Sequence, residues 1–148
     1  DNDLCGKVTL HGIVSNVDQY MANSDVLVLP SLREPLGNVI IEAAHQNLPV
    51  IASEVDGITE IVRHHDTGVL LKPRFIRSLP KLPKQVVSAY GELVAPMAID
   101  PNELALELIR LKNHPSECKA LGLRAQELLK DYTVEHYTNA IREVYLTL

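Results

Sequence analysis

Pro30-Ser31-Leu32-Arg33-Glu34-Pro35-Leu36-Gly37-Asn38-Val39-Ile40-Ile41-Glu42-Ala43-Ala44 is the stretch on which the reading of this 148-residue chain turns. It starts where the apolar run Val26-Leu27-Val28-Leu29 is stopped by Pro30. Apolar runs of strand length without polar alternation mark parallel strands buried on both faces. A loop, Ser31 to Gly37, then leads into a predicted helix, Asn38 to Gln46. In open parallel sheets, ligands bind beyond the carboxyl ends of the strands. A glycine at the loop-to-helix junction lets backbone N–H groups approach a ligand, and the helix N-terminus adds partial positive charge that suits phosphate. Leu36, Gly37 and Asn38 are therefore candidate main-chain contacts for a diphosphate or a sugar.

Glu34 and Glu42 frame this loop. Glu34 precedes the helix and can point into the crevice, and Glu42 sits about one turn into the helix. A carboxylate accepts from two hydroxyls at once, which suits a ribose diol. Spacing alone favours the plainer reading, in which Glu42 is a solvated helix residue and Glu34 part of a surface turn.

Outward from this segment the pattern alternates. Val8 to His11 reads as a short strand ended by Gly12, and Val17 to Asn23 as a short helix. Pro49 to Ser53 is a strand, Gly57 to His64 a short helix, and Gly68 to Leu71 another strand. Asn47 stands where a left-handed residue often ends a helix. Strand and helix alternating at this spacing predict βαβ units and a parallel sheet. Residues of about 74–98 break the pattern with Pro80, Pro83 and Pro96, and carry Arg74, Arg77, Lys81 and Lys84. This excursion reads as an insert without a clear element. It is either a solvated loop, the favoured reading, or a contact for a phosphorylated or membrane-bound acceptor. Three helices are expected from about residue 101 to 148, the first capped by Asp100 with Pro101 at its first position. Leu104, Leu108 and Leu111 mark that helix's buried face.

Composition sets the outer limits. Hydrophobic residues make up 46% and charged residues 22%, the balance of a globular domain and not of a disordered chain. No apolar run reaches the roughly 20 residues that span a bilayer. The net charge of −5 argues against a nucleic-acid partner, which calls for a basic face. Cys5 and Cys118 show neither metal nor redox spacing and read as buried or incidental thiols of a reducing cytosol.

The combined motifs resemble the C-terminal half of the GT-B glycosyltransferases of family 4, the glycosyl transferases group 1. The residues that carry the resemblance are Pro30-Ser31, Glu34, Glu42-Ala43-Ala44, Pro49-Val50-Ile51-Ala52, Gly57, Glu60-Ile61-Val62 and Thr67-Gly68. It spans Val8 to Lys72 and resumes weakly in the C-terminal helices. The resemblance implies a Rossmann-like parallel sheet with flanking helices that binds a nucleotide-diphosphate sugar for transfer, with retention and without a metal or other cofactor, to a glycan or lipid-linked acceptor. It implies that Glu42 binds the nucleotide ribose, that Glu34 lies near the donor sugar and its phosphates, and that Leu36, Gly37 and Asn38 meet the donor. Glu34 is the one residue considered for catalysis, as a contact sooner than a catalyst. His11, Arg33 and Gly57 are weaker candidates for donor binding. The Glu-Pro-Leu-Gly-Asn wording is similar to that of bacterial enzymes of polysaccharide biosynthesis.

Three departures stand out. Asn47 replaces a usual glycine, Asp56 replaces a common small residue before Gly57, and the excursion has no counterpart. The family's two strands before Val8, with an Arg and a Lys for the diphosphate, and its N-terminal acceptor domain are not in this sequence. The expectation is an incomplete portion of a hexosyltransferase that needs a missing N-terminal domain or a partner chain. It is expected in the cytoplasm, with the inner membrane face as a second place. A nucleotide-sugar epimerase of the same fold and a non-catalytic assembly or regulatory module are the alternatives. His64-His65-Asp66 reads as a solvated helix end and not as a metal cluster, His45 as a surface or packing residue, and the stripe Tyr137, Ile141 and Tyr145 as core or interdomain packing.

Overall fold

The computed structural model describes residues 6–75, 83–88, 90–130 and 132–147. Cys5, Arg77, Pro80 and Lys81 of the sequence reading lie outside them. Three parallel strands, β1 (Leu27–Leu29), β2 (Val50–Ser53) and β3 (Val69–Leu71), form one sheet in the order β1-β2-β3. Leu27 pairs with Val50 and Ile51 with Val69. The connections are α2 (Asn38–His45) between β1 and β2, and α3 (Ile58–Ile61) between β2 and β3. α1 (Val17–Ala22) precedes the sheet and packs on α2, with Met21, Ala43 and Leu48 buried together.

The continuous apolar strands follow from helices on both faces. On one face Val50 and Ala52 meet Ile40 and Ala44 of α2, Ile58 and Ile61 of α3, and Ala125 and Leu129 of α5 (Pro115–Leu129). On the other, Ile51, Val69 and Leu71 meet Ile99, Leu111 of α4 (Pro101–Asn113) and Leu121 of α5. Every residue of β2 is buried, so no polar face is left to alternate. Asp100 caps α4 by accepting from the Asn102 N–H at 2.8 Å. Asn47 ends α2 at φ +55°, the left-handed geometry that asparagine tolerates better than other side chains. At that turn α5 crosses very closely, because a Cβ on Gly122 would lie 1.9 Å from the Asn47 carbonyl oxygen.

Several sequence expectations are corrected. Val8 to His11 form no strand: Leu10 is 92% exposed, and no described strand flanks them to take their N–H and C=O groups. The helix from Gly57 is four residues long and ends at Ile61. His64 is therefore not a helix end; it forms a parallel bridge with Gly68, and its Nδ1 accepts from the Leu70 N–H at 3.0 Å. Of the expected buried face of α4, Leu111 is buried and Leu104 half-buried, while Leu108 is exposed. The excursion is not without structure. It contains a short antiparallel hairpin, β4 (Val86–Val87) and β5 (Leu93–Val94), and its neck is closed by two hydrogen bonds between Arg74 and Ala98, at 2.8 and 2.9 Å. The stripe on α6 (Val134–Leu146) is not core: no described residue of that helix is buried, and Tyr137, Ile141 and Tyr145 are exposed. Cys118 is a half-buried free thiol, and burial pushes its pKa up.

Candidate functional site

Two loops meet at the carboxyl ends of β1 and β2. The first is Ser31 to Gly37 and the second is Glu54 to Gly57. Gly37 has φ +87° and caps α2 without a side chain, and among the described residues no side-chain oxygen accepts from the first-turn amides of that helix. The left-handed geometry demands glycine here, and the space above it is tight, since a Cβ would lie 3.1 Å from Ile40 Cδ1. A helix start with no cap of its own is a place where backbone N–H groups are offered to an outside acceptor.

The second loop holds the first from behind. Gly57 approaches it so closely that a Cβ would sit 2.0 Å from the Pro35 carbonyl oxygen, and its N–H donates to the Glu34 carbonyl at 3.3 Å. The Glu34 N–H donates to Asp56 Oδ2 at 3.0 Å. Asp56 also accepts from Arg33 Nε and Nη2, both at 2.7 Å. These bonds, the Arg33 hydrogen bond foremost, hold the Asp56 carboxyl below the usual carboxylate range against the opposing effect of burial.

The candidate residues are placed as follows. Glu34, Leu36, Gly37 and Asn38 lie on one continuous loop and helix start. Glu34 is half-buried, and its Oε2 accepts from Ser31 Oγ at 3.5 Å. Leu36 packs on the core and Asn38 is exposed. Glu42 is exposed on α2, on the side away from the buried Ile40, Ala43 and Ala44. Gly57 abuts the loop from below. His11 does not end a strand; it packs on Tyr20 of α1, with ring centroids 4.5 Å apart and a Tyr20 hydroxyl to Nδ1 contact of 3.1 Å. The Arg33 guanidinium is engaged by Asp56 and by the Val87 carbonyl, at 2.5 Å for the latter. Asp56 is the residue that sequence reasoning passed over. Its signal was the departure already noted, an acidic side chain where a small residue is expected.

A cavity of about 860 Å³ lies at the opposite, amino ends of β1 and β2, lined among others by Val26, Pro49, Leu111 and Cys118. It is remote from both loops and brings neither glutamate to it. Among the described residues no group of three or more His, Cys, Asp or Glu side chains is placed to hold a metal. No described helix is long and apolar enough to cross a membrane.

A family model described as glycosyl transferases group 1 matches residues 2–95. The chain belongs to that family. A glycosyltransferase of Methanocaldococcus jannaschii, MJ1607, is 33% identical over 87 residues, covering 57% of this chain and 22% of that protein. The group 1 fold is also seen in the solved Anabaena protein Alr3699/HepE in complex with UDP, with a TM-score of 0.77 at 23% identity over 98% of this chain and 34% of that one. The sucrose-phosphate synthase of Thermosynechococcus elongatus matches with a TM-score of 0.76 at 26% identity, over 98% of this chain and 31% of that one. This group 1 chain thus spans about a third or less of these three proteins. Its three-stranded sheet, with helices on both faces, is a Rossmann-like portion of the C-terminal half of the GT-B architecture.

Proposed function

We propose that this chain supplies the donor site of a retaining glycosyltransferase, binding a nucleotide-diphosphate sugar over the loop from Glu34 to Asn38. The observation that carries the reading is the uncapped start of α2 at a left-handed Gly37, at the carboxyl edge of the sheet, with Glu34 before it and Glu42 one turn after. The first-turn amides of α2 would take diphosphate or sugar oxygens, since they carry partial positive charge and face no side-chain cap. Glu42, exposed and free to accept two hydroxyls, would bind the ribose diol. Glu34, with its backbone held at both ends, would contact the donor sugar. The Anabaena protein of the same fold has been solved with UDP and with UDP-glucose, which supports a nucleotide-sugar ligand.

The acceptor, a glycan or lipid-linked, would come from an N-terminal domain or a partner chain, and transfer would need no metal. A hexosyl donor, a place in polysaccharide biosynthesis and a cytoplasmic setting, with contact at the inner membrane face, complete the proposal. Calorimetry on the full-length polypeptide with UDP, GDP and ADP tests it. Binding of one of them is expected, weakened about tenfold or more by Glu42→Ala through loss of a charged hydrogen-bond acceptor. No binding of any of the three would refute the donor site.

A further inference from the structure

Arg33 is the one cation of the donor loop, and its geometry is informative about what it does not do. All three guanidinium nitrogens are engaged. Nε and Nη2 form a two-pronged pair with the Asp56 carboxylate, at 2.7 Å each, and Nη1 donates to the Val87 carbonyl of the hairpin. Such a fork-on-fork pair fixes both side chains in one plane. Asp56 holds the other end in a costly posture. Its φ is +42°, a left-handed conformation that residues with side chains rarely adopt. The three hydrogen bonds the carboxylate accepts, two from Arg33 and one from the Glu34 N–H, offset that strain. Both side chains are largely withdrawn from water, at 28% and 19% exposure.

We propose that Arg33 and Asp56 act as a positioning pair that sets the donor loop and latches the insert's hairpin beside it, and that Arg33 is not a phosphate ligand. Three segments far apart in sequence meet at this one guanidinium: the loop after β1, the turn after β2 and β4 of the insert. Glu34 is adjacent to the pair and receives its position through its own N–H. The hairpin carries exposed Val87, Tyr90 and Leu93 to the same edge of the sheet. Releasing the pair therefore frees the loop and the hairpin together.

The inference about donor affinity rests on the donor site proposed above, and the test separates the two. Arg33→Gln, Asp56→Asn and the double variant are made in the full-length polypeptide. Asparagine tolerates left-handed geometry, so Asp56→Asn keeps the turn while removing the charge. UDP affinity is measured by calorimetry, and backbone exchange of Glu34 and of residues 86–94 by hydrogen–deuterium mass spectrometry. A positioning pair predicts that each single variant binds UDP roughly tenfold more weakly and that the double variant is no worse than either, the non-additivity of residues that act as one unit. It also predicts faster exchange at Glu34 and in the hairpin in all three. A phosphate-binding Arg33 predicts opposite signs: weaker binding in Arg33→Gln, and unchanged or tighter binding in Asp56→Asn, where the guanidinium is released. That second pattern overturns the proposal. If the unaltered protein binds no nucleotide, the donor site fails, and the exchange data alone then decide the latch. Unchanged protection at Glu34 and residues 86–94 in both single variants overturns it.

Discussion

Replacing Gly57 by alanine isolates what the contact between the two loops contributes. The φ of Gly57 is −70°, so alanine is conformationally permitted, and on backbone grounds alone the change should stabilise by about 0.4–1 kcal/mol. The obstacle is spatial. The added Cβ would lie 2.0 Å from the Pro35 carbonyl oxygen, 2.8 Å from the Pro35 carbonyl carbon and 2.9 Å from Leu36 Cα, all backbone atoms that cannot rotate away. One loop must therefore move. Relief means stretching the 3.3 Å bond from Gly57 N to Glu34 O and disturbing the 3.0 Å bond from Glu34 N to Asp56. Overpacking of this kind costs about 1–3 kcal/mol, and each weakened hydrogen bond about 1 kcal/mol. A net destabilisation of about 3 kcal/mol follows, and with roughly 3 °C per kcal/mol at this chain length the expected fall in Tm is about 9 °C. Gly122→Ala is the matched comparison. Its Cβ would meet the Asn47 carbonyl at 1.9 Å, so it should destabilise comparably, but at a crossing of α5 with the end of α2, away from the donor loop. Thermal unfolding gives the stability of both variants. UDP calorimetry below both transitions gives the site. Loss of about tenfold in affinity is expected for Gly57→Ala and none for Gly122→Ala. A Gly57→Ala protein with unaltered Tm and Kd would show that the two loops do not touch as described.

Three further outcomes follow from single groups. Ser53 is completely buried at the end of β2 and its Oγ has no hydrogen-bond partner, so Ser53→Ala should leave stability unchanged or raise it by up to about 1 kcal/mol in denaturant unfolding. His64 has its pKa lowered from 6.5, first by burial and then by the neighbouring His65. The unfolded chain then takes up the proton before the folded one. The contribution of neutral His64, whose Nδ1 accepts from Leu70, is present above pH 6.5 and is lost as pH falls through that value toward the folded-state pKa. His64→Gln should flatten that part of the stability–pH curve, and an unchanged slope would count against the assignment. Glu42→Ala should abolish most of the preference for UDP over its 2′-deoxy analogue; a preference that survives intact would place the ribose elsewhere.

The elements legible in the sequence were those whose signal is local. β1, β2 and β3 were evident because each reads as an unbroken apolar run, with β2 wholly buried and its neighbours buried or half-buried beside it. The ends of α2 and α4 were evident because Gly37, Asn47 and Asp100 mark them by backbone geometry or side-chain capping. Val8 to His11 has strand composition but no described neighbouring strand, and composition alone cannot supply hydrogen bonds. α6 has the right periodicity, yet periodicity shows which face is apolar and not what covers it. Among the candidate residues, the placement of Glu34, Leu36, Gly37, Asn38 and Glu42 was legible because they run along one loop and helix. The link from Arg33 to Asp56 and Val87 was not, since partners 23 and 54 residues away leave no periodic trace.

The segment between β3 and α4 adds a hairpin beside the loop after β1 without entering the three-stranded sheet. Its chain leaves just after β3 and returns just before α4, and the Arg74–Ala98 bridge brings these two points together. The ion pair between Arg74 and Glu103 at 2.7 Å anchors the same neck to α4. The sheet therefore meets a closed junction and is indifferent to the length of what lies beyond it, as loop-closure entropy grows only slowly with length. Among the described residues, a side-chain hydrogen bond from Arg33 to the Val87 carbonyl joins the hairpin to the loop after β1. The segment is thus held at its neck by Arg74, Ala98 and Glu103 and at Val87 by Arg33 of the loop after β1. In this chain that coupling depends on an acidic residue at position 56, where a small residue would leave Arg33 without its partner.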